Sequence, residues 1–90
     1  MEQIKSIKSL LDEEDALVKE YNSCVQSIQF YSDELKASKK RAEENPNLID
    51  LVQRDIDYYN ILIQNYTERL PSLINDINSK RDAMRERLVI

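Results

Sequence analysis

Apolar residues recur along this 90-residue chain at alternating three- and four-residue intervals, the spacing that lines up one face of an α-helix. In the first half the series runs Ile4, Ile7, Leu11, Glu14, Val18, Tyr21, Val25, Ile28, Ser32, Leu35, Lys39 and Ala42, and nine of the twelve positions are nonpolar. In the second half it runs Ile49, Val52, Ile56, Tyr59, Ile63, Tyr66, Leu70, Leu73, Ile77, Lys80, Met84 and Arg87, with the first nine all apolar. Heptads sustained over this many repeats predict two long helices joined by a coiled-coil seam, each arm about 60 Å long.

One segment between the two series reads as a turn: Glu43-Glu44-Asn45-Pro46-Asn47. Proline disfavours the α region at the residue before it, so the first helix stops near Glu44. Asn47 is then placed to cap the second helix, with Asp50 in its first turn. The fold class that follows is all-α, an elongated antiparallel helical hairpin or coiled-coil bundle. It forms one domain over residues 1–90, with helix 1 about 3–44, the turn at 45–47 and helix 2 about 48–88.

Pro71 falls inside the second series without disturbing its register, since Leu70 and Leu73 stay on the seam. A helix continuing through it loses one hydrogen bond to Thr67 and relieves the crowding with a kink. The alternative places Pro71 in the first turn of a third helix, where it costs little, but Leu70-Pro71-Ser72 has neither glycine nor a polar linker. The continuous, kinked helix is the expectation.

Folding the hairpin about Asn45-Pro46 pairs residues whose numbers sum to about 92, which sets Glu14, a polar interruption of the first seam, against Lys80 in the second. A second series beside the first seam, Leu10, Leu17, Cys24 and Tyr31, widens the apolar face of helix 1 beyond what one partner helix covers. Leu48, Leu51, Tyr58, Leu62, Ile74 and Leu88 widen helix 2 in the same way. Surplus apolar surface on a hairpin means a third helix, a client, or a second copy; a homodimer through Leu10, Leu17, Cys24 and Tyr31 is one expectation.

Composition narrows the chemistry. With no glycine, the chain lacks the residue that phosphate-cradling loops and tight β-hairpins require, so nucleotide-binding loops and multi-stranded sheets are excluded. With no histidine it lacks the usual general base and the commonest metal ligand. Cys24 stands alone, cannot form an internal disulfide, and reads as a small buried side chain. Asp12-Glu13-Glu14-Asp15 and the pair Asp55/Asp57 bring no second ligand type and read as solvated helix faces. No catalytic residue, cofactor or metal site is expected, and the chain reads as non-enzymatic.

The net charge of −4 argues against nucleic acid as a partner. Lys39-Lys40-Arg41 reads as a helix end placing cations near the C-terminal dipole. The chain opens with charged residues and has no run of about 18 apolar residues, so a soluble, cytoplasmic protein away from membranes is expected. The sequon Asn65-Tyr66-Thr67 should then stay unused.

Three segments carry a family resemblance: Ile7-Lys8-Ser9-Leu10-Leu11-Asp12-Glu13-Glu14 followed by Lys19-Glu20-Tyr21; the polar turn Asn45-Pro46-Asn47; and Glu68-Arg69-Leu70-Pro71 followed by Leu73 and Ile77. Together they resemble the tubulin-binding cofactor A family of small helical chaperones. Each arm here is roughly two turns longer than that family's, which also continues into a third helix past the point corresponding to Ile90. The resemblance implies a chaperone that binds and holds β-tubulin along one face of the hairpin, with cytoskeletal association. Its contact would use Leu17, Tyr31 and Tyr58, with Glu13 and Asp15 at the rim. Asn45-Pro46-x-Leu48-Ile49 with Gln53, Tyr59 and Asn60 is similar to the turn and second helix of type III secretion needle subunits. The rival reading is accordingly a self-associating coiled-coil scaffold subunit.

Overall fold

A computed structural model describes residues 6–88. Two helices, α1 (Ile7–Glu44) and α2 (Ile49–Leu88), lie antiparallel and are joined by a single 3₁₀ turn at Pro46–Leu48. The rod measures 68 × 21 × 15 Å, as expected for two 40-residue helices side by side.

Helix α1 begins at Ile7, and Ser6 caps it. Its backbone is extended (φ −68°, ψ 159°) and its Oγ accepts from the Ser9 amide at 3.1 Å, satisfying one of the unpaired first-turn donors. Positions 3–5 of the expected helix, Ile4 among them, lie outside the described residues.

The reversal is made without glycine and without a positive φ among the described residues. Asn45 alone leaves the helical region, at φ −134° and ψ 81°, where the following proline ring pushes it. Its amide still donates to the Arg41 carbonyl at 2.9 Å, and its own carbonyl accepts from Leu48 at 2.9 Å. Pro46, with no amide to satisfy, opens the 3₁₀ turn, and the chain passes straight from it into α2. Asn47 therefore lies inside the 3₁₀ turn, not at a helix cap.

Helix α2 runs unbroken through Pro71, so no third helix begins there. Both Pro71 and Thr67, whose carbonyl loses its amide partner, are on the exposed side of the helix. The cost of the missing hydrogen bond is smallest where water reaches the carbonyl, and any bend is taken up toward solvent.

The seam of α2 is the expected one except at its first member, Ile49, which is exposed beside the turn: Val52, Leu73, Ile77 and Met84 are buried and their series neighbours from Ile56 to Arg87 are at least half-buried. The seam of α1 is not. Leu10, Cys24 and Ser38 are its buried residues, with Leu17 and Tyr31 half-buried between them. Leu11 and Lys39, assigned to the seam by the first series, are exposed. The series expected to be left uncovered is thus the centre of the hairpin, and a homodimer cannot use Leu10, Leu17, Cys24 and Tyr31 while α2 covers them. Both series share Ile7, Glu14, Tyr21, Ile28, Leu35 and Ala42, and α1 is turned by one step of the heptad wheel, about 50°.

Two features favour that rotation. Near the turn the expected seam would place the Lys39 ammonium in the interface between the helices, where burial of an unpaired charge is costly. The observed seam places Ser38 there, fully buried, with its Oγ accepting from the Arg41 guanidinium at 3.4 Å. The rotation also brings Glu13 and Glu20 beside α2, where Lys80 Nζ reaches Glu13 Oε2 at 2.9 Å and Arg69 Nη2 reaches Glu20 Oε1 at 3.0 Å. Glu14 does not face Lys80 as expected; it takes Arg81, whose Nε lies 3.1 Å from Glu14 Oε1.

Three outcomes follow. Leu10→Ala, at a residue 4% exposed, should cost about 2–5 kcal/mol in urea unfolding, while Leu11→Ala, 47% exposed, should cost under about 1 kcal/mol. Equal costs would return the seam to the first series. In double-mutant cycles Glu14/Arg81 and Glu13/Lys80 should each couple by about 0.3–1 kcal/mol, as partly exposed pairs do, and Glu14/Lys80 by nothing measurable. Pro71→Ala should raise the unfolding midpoint, by up to about 3 kcal/mol of stability, because it restores a hydrogen bond in an exposed helix interior.

Candidate functional site

The positions flanking the seam give the hairpin two unlike sides. One carries Leu11, Val18 and Val25 of α1 and Ile74, Arg81 and Leu88 of α2; the other carries Glu13, Glu20, Glu34 and Arg41 of α1 and Asp55, Leu62 and Arg69 of α2. Toward the open end the first is largely apolar, interrupted by Arg81, and the second mostly charged; nearer the turn the first side becomes polar, with Ser32 and Lys39 of α1 and Gln53, Asn60 and Thr67 of α2 at the same heptad positions.

On the apolar side Val18, Tyr21 and Asn22 of α1 and Ile74, Ile77, Asn78 and Arg81 of α2 line an open groove of about 310 Å³. The Glu14–Arg81 ion pair closes one end of it. Beyond that pair, toward the open end of the hairpin, Ile7, Leu11 and Leu88 remain exposed, Leu88 at 72%. A groove of this shape, apolar along its floor and polar at its corners, accepts another helix by the ridge-and-groove packing that already joins α1 to α2. Among the described residues no group of three or more His, Cys, Asp or Glu side chains is arranged to hold a metal ion.

On the charged side a row of rings crosses the hairpin. Phe30 meets Tyr31 edge-on at 5.2 Å, Tyr31 stacks on Tyr59 at 5.9 Å and on Tyr66 at 6.1 Å, and Tyr59 meets Tyr58 at 6.0 Å. The inner rings sit in the seam, and such pairs contribute about 0.5–1.5 kcal/mol each beyond their buried area. The outer rings, Phe30 and Tyr58, are each 58% exposed.

The residues expected to form a single contact surface are spread over the rod. Tyr31 and Tyr58 are joined through Tyr59, although Tyr31 is half-buried. Leu17 points into the seam, Glu13 is engaged with Lys80, and Asp15 is exposed on the outer surface beside the apolar groove. Phe30 was not among them. It lies off every heptad series, and a large aromatic residue at a position that no buried face claims is the signal that finds it. Leu11 was assigned to the seam and is instead part of the open ledge.

Cys24 is buried as expected, a small side chain in the seam. Among the described residues no helix is long and apolar enough to cross a membrane. Comparison with protein-family models, with curated proteins and with solved structures finds no match for this chain.

Proposed function

We propose that this chain is a non-enzymatic binding protein that holds a client against the apolar side of the hairpin, and that β-tubulin, the client implied by the resemblance to tubulin-binding cofactor A, is the protein held there. The observation that carries the reading is the ledge of Leu11, Ile74 and Leu88, exposed apolar side chains, continued by the half-buried Val18. Soluble monomers rarely leave such a line open without a partner.

The contact surface differs from the one drawn from sequence. Leu17 and Tyr31 serve the hairpin interior, so affinity would come from Leu11, Val18, Ile74 and Leu88. Asp15, exposed beside the groove, would contribute to encounter and salt dependence more than to affinity. The rod has the length to lay many such contacts against a large client, which suits holding over turnover.

Size-exclusion chromatography with light scattering, on the protein with and without tubulin, tests this reading. A one-to-one complex is expected, weakened roughly tenfold or more by the paired change Leu11→Ser and Ile74→Ser with helicity unchanged. Absence of a complex, together with a stable homotypic assembly of the protein alone, would replace the chaperone with the self-associating scaffold.

A further inference from the structure

The charged side changes character near the turn. At Glu13 and Glu20 each acid has a cation from α2 beside it. Two heptads on from Glu20 in α1 stands Glu34, and two heptads back from Arg69 in α2 stands Asp55, so the register that pairs Glu20 with Arg69 sets one acid opposite another. Neither is in an ion pair among the described residues. Each sits one helical turn from an exposed ring, Glu34 after Phe30 and Asp55 before Tyr58. One heptad further toward the turn, the same flank of α1 carries Arg41, whose guanidinium among the described residues meets only the Ser38 hydroxyl, while Lys40 beside it is taken by Glu44. Leu51, 67% exposed, lies on the α2 edge between these acidic and basic ends.

We infer that this face docks a second copy of the chain, the two turn-proximal halves overlapping head to head about a two-fold axis that crosses near Ala37 and Leu51. An isologous contact needs a surface that is complementary to itself, with residue i meeting j while j meets i. Here the acidic end and the basic end lie on either side of the axis on one flank. The rotation brings Arg41 of each copy against Glu34 of the other, with Asp55 on the adjoining helix. It also sets Leu51 against Leu51 and carries the exposed Phe30 and Tyr58 rings over the partner's Asn45-Pro46 turn. Three otherwise unexplained features, the unpaired acids, the unpaired arginine and the exposed rings, acquire partners in one arrangement. The apolar groove on the opposite side stays open, so the inference goes beyond the client-binding reading and does not depend on it.

Sedimentation velocity on the full chain over a wide concentration range, without any client, tests the inference. A reversible dimer is expected. Leu51→Asp should abolish it, and Arg41→Glu should shift its midpoint roughly tenfold or more to higher concentration. Arg41→Glu combined with Glu34→Arg should restore it, because the swap re-forms both cross-copy pairs. Leu11→Ser with Ile74→Ser, on the other side, should leave it unchanged. A monomer at every concentration overturns the inference, as does a dimer indifferent to Leu51→Asp and Arg41→Glu. Loss without rescue by the charge swap overturns the two-fold arrangement. Binding of an arginine-rich peptide by a protein that stays monomeric would show that the face takes a basic partner instead.

Discussion

Everything in this molecule depends on one seam. Among the described residues two long helices share a single interface in which to remove apolar surface from water, and that removal is the main term opposing the conformational entropy of ordering them. The buried residues are accordingly few: Leu10, Cys24 and Ser38 from α1 against Val52, Leu73, Ile77 and Met84 from α2. They are spread along the rod and do not gather in a globular centre. Small domains bury a low share of their surface, and an elongated one lower still. Each buried side chain therefore matters more to stability than its counterpart in a compact domain.

The turn sets how closely that seam can close. With only Asn45 in the reversal outside helical or 3₁₀ geometry, the two helices are joined with little slack, and the α1 seam residues next to the turn, Ser38 and Ala42, are small. Farther out the axes are held by larger side chains, first the Tyr31, Tyr59 and Tyr66 stack and then Leu73 and Ile77. The interhelical ion pairs occupy the half of the rod away from the turn, at Glu13, Glu14 and Glu20. There they add alignment more than energy, since partly exposed pairs contribute little net stability. Aromatic packing near the turn and charge pairing near the open end divide the work of fixing register between them.

That division also decides which surface is left for other molecules. Where α2 supplies cations the charged side is internally satisfied, and where it supplies Asp55 in place of a cation the side is left acidic and aromatic. On the opposite side the groove remains open, apolar along Val18, Ile74 and Ile77 and polar at Asn22, Asn78 and Arg81. Among the described residues, the surfaces that α1 and α2 leave uncovered are faces of the helices themselves.

Much of this was legible in the chain. The three-four spacing, the lone Asn-Pro turn and the absence of glycine determined two long antiparallel helices, because hydrophobic periodicity and proline sterics act locally and need no knowledge of the partner. The α2 seam was legible for the same reason, since one series there is apolar without interruption from Ile49 to Ile77. The rotation of α1 was not. Leu10, Leu17, Cys24 and Tyr31 are about as apolar as Leu11, Val18, Val25 and Ser32, so periodicity alone cannot choose between them. The choice was made across the interface, by the cost of burying Lys39 between the helices and by the reach of Glu13 and Glu20 to Lys80 and Arg69. The sequence by itself thus determined that two helices pair and where the chain reverses. Only the tertiary structure decided which face of α1 is inside, and with it which apolar line is left open, because that depends on energies shared between residues some 50 to 70 positions apart.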